Sequence, residues 1–410
     1  MQRFAGPPGH SYFCAMLDWD AFREALQTAL LEAVSAETGG PWRAAALDGL
    51  YAETDGVITA PSLYLNDDGE DMDSPPDWKT GLHDWAPESW IDALTAEACS
   101  GAVSHWEDIF ARYQDVLVRI CVAAGTRLGI PVFFIDHDCY EEMLAHCLTP
   151  SQLHSLFPKV VATQAERARV SALPPGDQIA YYISRLNRFD DLIGSEEAQQ
   201  VLRAFGSAAI PALLPLLRES EHDWLAAILL AEIGVSDDTV ISALSAALAA
   251  STPDSRAQMW SCSALAQLNR LDLVLARASS LSPECLAMAV TARYTAFRDH
   301  GAQPLSLDYL PLEEFLSVYP GMVPKVADEL KPGRSYCIIS AAEVPEALRG
   351  TTSPYVLVRK HAVCVLDERR LGDAVGRQVI PRLRAIAETD PDGDVRRLAT
   401  LSLQRWKADG

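Results

Sequence analysis

The sequence predicts an α+β domain with a small sheet, followed by an all-α solenoid of stacked helix pairs. Three observations lead there. Short β-branched and aromatic runs bounded by turn residues are confined to the first 157 residues, helical periodicity takes over from about residue 160, and one helix-pair pattern recurs at 210–234 and 380–406. A chain of 410 residues exceeds one ordinary core, at roughly 100–200 residues per domain. Its 49% hydrophobic content with 22% charged residues describes a folded chain and excludes a disordered one.

Taken in order, residues 17–36 place Phe22, Leu26, Leu30 and Val34 at helical spacing, with Asp18 or Asp20 able to cap the start. After Gly39-Gly40-Pro41, the runs RAAALDGLYA (43–52) and GVITAPSLYL (56–65) read as strands. The stretch NDDGEDMDSPPDW (66–78) reads as an acidic loop. Residues 101–128 form a long helix with Trp106, Ile109, Phe110, Tyr113, Val116, Leu117 and Ile120 along one side. IPVFFID (130–136) is a buried strand, and 139–148 and 151–157 are short helices. The expected boundaries are 1–157 for the acidic α+β domain, 158–199 for a helical connector and 200–410 for the solenoid.

The repeated unit begins with Ile-Pro and runs through an apolar helix and a polar turn to a second Ala/Leu-rich helix. IPALLPLLRESEHDWLAAILLAEIG (210–234) and IPRLRAIAETDPDGDVRRLATLSLQRW (380–406) share it. Residues 255–269 and 356–370 add two further second-helix candidates. The signature V-R-x-x-A occurs at Val358–Ala362 and Val395–Ala399, 37 residues apart. Such a unit cannot bury its apolar face alone, so neighbours must stack. These residues resemble HEAT repeats of the short bacterial type, in which an acidic turn with Gly precedes V-R-x-x-A. The resemblance covers roughly 200–410 and lapses at 280–350, and it implies a concave face lined by second helices. The first 157 residues, with their order of helix, YAETDGVITAPSLYLNDDG, HDWAPESW, long helix and VFFIDHDCYEEMLAHCLTPSQL, look like the bacterial DUF4303-type domain. Members of that group occur in toxin-immunity neighbourhoods, and HEAT-type repeats also serve as immunity modules against polymorphic toxins.

The net charge is −22, and it is unevenly placed. Residues 1–150 hold 25 acidic side chains against 7 basic ones, while the remaining 260 hold 31 against 27. A surface this acidic repels phosphate backbones and attracts basic partners, so direct nucleic-acid binding by the first domain is not expected. No uninterrupted apolar run approaches the roughly 20 residues of a bilayer crossing, and no secretion signal is read at the start, so the expected address is the cytoplasm. Gly6-Pro7-Pro8-Gly9 reads as a flexible leader, and Met16 also suits a start. Nine dispersed cysteines without a C-x-x-C pair read as small buried hydrophobes in a reducing compartment.

Chemistry-bearing motifs are few. His137, Cys139, His146 and Cys147 crowd together without zinc spacing, and adjacent His146 and Cys147 would diverge by about 100° on a helix. The acidic loop lacks the spacing of a calcium-binding hand. There is no G-x-S-x-G, no Walker A and no G-x-G-x-x-G after a strand, and the pair Asp136/Asp138 has no supporting motif. No catalytic residue, metal or cofactor is therefore expected. The candidate binding residues are the loop carboxylates Asp67, Asp68, Glu70, Asp71 and Asp73, with the tryptophans Trp78, Trp85 and Trp90 just beyond. Each tryptophan reads either as an interface anchor or as a core residue that holds the loop down. The basic pairs Arg359/Lys360, Arg369/Arg370 and Arg396/Arg397 read as partners for turn carbonyls and neighbouring acids, with a nucleic-acid strip as the lesser reading.

Together these features predict a non-enzymatic immunity protein that sterically inhibits a cognate bacterial toxin delivered by a contact-dependent or type VI system. The expected partner is a basic toxin domain, plausible as one acting on nucleic acid; no direct nucleic acid and no membrane is expected. A solenoid scaffold without a toxin partner, or a lyase-type enzyme, is the alternative.

Overall fold

The computed structural model describes residues 17–54, 56–69, 72–189, 191–300 and 305–407. The leader glycines and prolines and Met16 lie outside the described residues, as do Glu70 and Asp71. The chain is mostly helical with a small mixed sheet near its N-terminus, and it divides into two compact units, Met1–Ala162 and Thr163–Ala408.

In the first unit, helix α1 (Trp19–Ala36) starts at Asp18, whose carboxylate accepts from the backbone N–H groups of Asp20 and Ala21. That satisfies two donors the helix would otherwise leave open. Phe22, Leu26, Leu30 and Val34 are its buried stripe. The strands are β1 (Ala44–Asp48), β2 (Ser62–Asn66), β3 (Thr80–Leu82) and β4 (Val132–Phe134), in the spatial order β3-β2-β1-β4. β1 pairs antiparallel with β2, placing Ala46 opposite Tyr64, and parallel with β4, placing Ala46 beside Phe133. Every residue of β1 is buried, which suits a strand built mainly of alanine with neighbours on both edges.

A parallel pair needs a long crossover, and here α2 (Glu88–Ala98) and α3 (Val103–Leu128) lie in that connection. α3 packs against β4 and α1 and buries Trp106, Ile109, Tyr113, Val116, Leu117 and Ile120. It ends at Gly129, whose φ of +71° provides the left-handed cap. α4 (Tyr140–Cys147) and α5 (Pro150–Leu156) follow, and the boundary between the units falls inside α6 (Pro158–Ser171).

The strands are shorter than the runs that predict them. β1 stops at Asp48 because Gly49 turns the chain at φ +74°; β2 begins only after Pro61, leaving Ile58 in an isolated bridge with Ala52. Phe110 is half-buried and stacked on Trp106 rather than sunk in the core.

The second unit is helical throughout its regular elements. α7 (Pro175–Ile183), α8 (Ser195–Phe205) and α9 (Ile210–Leu213) lead into α10 (Asp223–Ile233), α11 (Asp238–Ala250), α12 (Arg256–Gln267), α13 (Leu271–Leu275) and α14 (Pro283–Thr291). After them come α15 (Leu310–Val318), α16 (Val323–Glu329), α17 (Val344–Gly350), α18 (Val356–Val365), α19 (Asp373–Thr389) and α20 (Gly393–Lys407). α10 packs on α12, α12 on α14, and α14 on α16; further along, α17 packs on α18 and α18 on α20. The apolar segment predicted after Ile210 is only one turn of α-helix, because the prolines at 211 and 215 lack N–H donors and the chain continues as a 3-10 turn to Arg218.

By length and composition the continuous helical stretch Ser195–Arg218 suffices to cross a membrane, which a search for uninterrupted apolar runs passes over. Two of its four charged residues are paired within the unit: Glu197 with Arg167 at 2.7 Å, and Arg203 with Glu232 at 2.8 Å.

Between α14 and α18 the helix-pair pattern gives way to 3-10 turns and a bridge between Thr295 and Tyr336. Four rings fill the space beneath. Tyr294 and Tyr309 stack with centroids 5.4 Å apart, and His361 meets both edge-on, with Tyr336 alongside at 4.5 Å. The Tyr309 hydroxyl donates to His361 Nδ1 at 2.6 Å, and His361 Nε2 donates to the Tyr294 carbonyl at 2.8 Å, so one neutral tautomer is held at both nitrogens. Gly350 makes room for this, since a Cβ there would collide with the Tyr309 ring.

Candidate partner-binding surface

The acidic loop leaves β2 at Asn66, which is buried; its side-chain carbonyl accepts from Gly69 N–H at 2.6 Å and shapes the first turn. Gly69 adopts φ +86°, with the Arg43 side chain packed where a Cβ would project. Apolar anchors and carboxylates then alternate. Met72, Pro75 and Trp78 point inward, while Asp67, Asp68, Asp73 and Asp77 are exposed.

The exposed carboxylates are partly spoken for. Lys79, the only lysine in the first 150 residues, lies 3.5 Å from Asp67 and 3.7 Å from Asp68. Asp73 accepts from the Tyr140 hydroxyl at 2.5 Å, tying the loop to the start of α4; burial and this carboxylate together push the phenol well above its ordinary range. Asp77 accepts from Ser74 at 2.6 Å. The loop thus presents Asp67 and Asp68 beside a counterion, and Asp73 as a tether.

The tryptophans divide. Trp78 lies edge-on to Phe133 of β4, and Trp85 donates from Nε1 to the Pro61 carbonyl at 2.6 Å; both are buried in the core of the unit. A buried indole offers no face to a partner, so these two hold the loop and sheet together instead of acting as interface anchors. Trp90 on α2 is half-buried, edge-on to Phe22 at 5.9 Å.

A second set of polar groups gathers at the carboxyl ends of the parallel strands β1 and β4, where Asp48 and Gln114, which the sequence does not mark, join Asp136, His137 and Asp138. Buried Asp48 lies 3.4 Å from exposed His137, and Asp136 accepts from Gln114 at 2.5 Å and from the backbone of Asp138 at 2.9 Å. Asp48 carries no sequence mark; the parallel pairing of β1 with β4, with Leu47 beside Phe134, brings it to His137. The four crowded His and Cys residues do not converge. Cys147 is buried against Cys121, His137 faces Asp48, and among the described residues no group of three or more His, Cys, Asp or Glu is placed to hold a metal ion.

In the second unit three cations of the V-R-x-x-A helices, Arg359, Lys360 and Arg396, are engaged by the acidic turns. Arg359 makes a bidentate pair with Asp390, at 2.9 and 3.1 Å, and also donates to the Ser353 carbonyl at 3.0 Å. Lys360 pairs with Asp394 at 2.8 Å, and Arg396 donates to the Asp390 carbonyl at 2.6 Å. A phosphate backbone would have to displace these partners. A cavity of about 730 Å³ between the 211–218 segment and α11 is lined mainly by Ala, Pro and Leu, with Arg218 and Asp223 the charged residues on its wall.

No protein-family profile matches the chain, and no curated protein matches it.

Proposed function

We propose that this chain is an immunity protein: it binds a basic toxin domain through its first unit and blocks the toxin sterically, without chemistry of its own. The observation that carries this reading is the concentration of charge, with 25 acidic against 7 basic residues in the first 150 and near balance beyond. Asp67 and Asp68 stand exposed on a loop whose base is pinned by Asn66, Trp78 and the Asp73–Tyr140 bond, so the carboxylates are held out at little further entropic cost. Such a loop occupies the place of phosphates in a basic groove and steers encounter over distance. The second unit is a HEAT-like array on this reading. In support, its second helices α10, α12 and α14 pack in succession, and Arg359 of one V-R-x-x-A helix binds the acidic turn that precedes the other. The DUF4303-like character of the first unit points the same way.

The test is kinetic. Asp67→Asn, Asp68→Asn, Glu70→Gln and Asp71→Asn together are expected to slow association with the basic partner about tenfold at low salt and to flatten its salt dependence. Asp73 is left intact because it holds Tyr140. Lys79→Ala, which removes the loop's counterion, is expected to speed association. Unchanged rates and salt response in both variants would refute the role of the loop.

A further inference from the structure

A small cavity of about 310 Å³ in the second unit has a polar, positively charged wall, unlike the apolar cavity beside α11. It lies between the turn Thr351-Thr352-Ser353, which joins α17 to α18, the Arg359–Asp390 pair, and one face of α19. On that face Arg382, Ile386 and Thr389 recur at i, i+4 and i+7, spread over about 10 Å. Thr352, Thr389 and Pro391 are exposed at the rim, so the cavity opens to solvent.

The charges on the wall do not cancel. Asp390 is, among the described residues, the one carboxylate there, and Arg359 takes both its oxygens. Arg382 has no acid beside it. Among the described residues its one bond runs from Nε to the Thr351 hydroxyl, at 2.8 Å, which leaves the four N–H groups of its two terminal nitrogens unengaged. Ser353 is 4% exposed; its hydroxyl accepts from the Tyr355 backbone at 3.2 Å and has no acceptor for its own proton among the described residues. Thr352 and Thr389 are used the other way round. Each spends its proton on a carbonyl, of Arg349 and Ala385, both at 2.7 Å, so only acceptor lone pairs remain.

We propose that this cavity binds a small phosphomonoester with a polyhydroxy body. The phosphate dianion pairs with the free fork of Arg382, a charge-assisted contact that a neutral ligand cannot make, and accepts from Ser353. The threonine oxygens at the rim accept from hydroxyls of the body, and Ile386 supplies an apolar surface for its carbons. Arg359 keeps Asp390 throughout, so binding displaces no ion pair. No residue of the first unit takes part, and the site stands or falls apart from the acidic loop.

The test is isothermal titration of the full chain, in a phosphate-free buffer, with glycerol 3-phosphate, ribose 5-phosphate, inorganic phosphate and glycerol. The expected result is saturable binding of at least one of the two phosphomonoesters, about tenfold tighter than inorganic phosphate, with no binding of glycerol. Arg382→Gln is expected to weaken the phosphomonoester about tenfold or more, and Arg382→Lys, which keeps the charge but loses the fork, by a smaller factor. Thr389→Val, which removes an acceptor at the rim, is expected to weaken the phosphomonoester and leave inorganic phosphate unchanged. Circular dichroism of each variant is expected to match the unaltered chain, because Arg382 makes a single hydrogen bond and Thr389 is exposed. Binding of neither phosphomonoester, or binding that Arg382→Gln leaves unchanged, would overturn the proposal. Equal affinity for inorganic phosphate would overturn the assignment of a polyhydroxy body.

Discussion

Asp390→Ala is expected to destabilise the helical unit by about 3–5 kcal/mol, because it strands a buried guanidinium. Arg359 and Asp390 are each only 8% exposed, and the carboxylate takes both forks of the arginine. One Asp390 oxygen also accepts from the Asp392 backbone at 2.9 Å, so the same side chain shapes the turn between α19 and α20. Removing the acid leaves Arg359 with the Ser353 carbonyl and no counterion. Replacing both residues with apolar ones, Arg359→Met with Asp390→Leu, is expected to cost much less, since no charge then stays buried. Urea unfolding of the full chain followed by far-ultraviolet circular dichroism reads both. A loss below about 1 kcal/mol for Asp390→Ala would show that the pair does not hold the turn.

The second large effect is a pH dependence centred on His361. Burial holds its imidazole at about 4, against an ordinary 6.5. The native ring stays neutral where the unfolded chain takes up a proton, so this contribution is complete above pH 6.5 and is lost as pH falls to 4. The loss is about 3 kcal/mol. Asp367 opposes it: burial raises its carboxyl to about 6, which adds stability as pH falls from 6 toward 4. Asp367→Asn removes that compensation and is expected to expose the full acid-side loss. Adding His361→Asn to this variant should remove most of the fall between pH 6.5 and 5, above the range in which Glu166 and Glu343, both held down at about 2, lose their contributions. An unchanged slope would show that His361 is not the titrating group.

Much of the regular structure was legible because its periodicity is local. α1 shows Phe22, Leu26, Leu30 and Val34 once per turn, and α3 shows an apolar side from Val103 to Ala124, about six turns. α2 was not legible because it buries only Leu94 and Ala98, and β3 because Thr80-Gly81-Leu82 is too short to alternate. Cations of the V-R-x-x-A turns were readable as turn partners, since an arginine beside an acidic turn has a local use. The surface of the first unit was harder to read. Composition locates the charge, but only the fold brings Lys79 back to Asp67 and Tyr140 across to Asp73. It also buries Trp78 and Trp85, because an indole after a Pro-rich turn has no sequence mark to tell an anchor from a wedge.

The most direct test of the central claim is affinity capture with the full chain from its native host, at about 0.05 M and about 0.5 M salt, alongside the four-site loop variant. The expected result is one basic protein retained at low salt, released at high salt, weakly held by the variant, and toxic when expressed alone but not when co-expressed with this chain. Retention of no basic protein, or of one that is harmless and indifferent to both salt and the loop variant, would contradict the account.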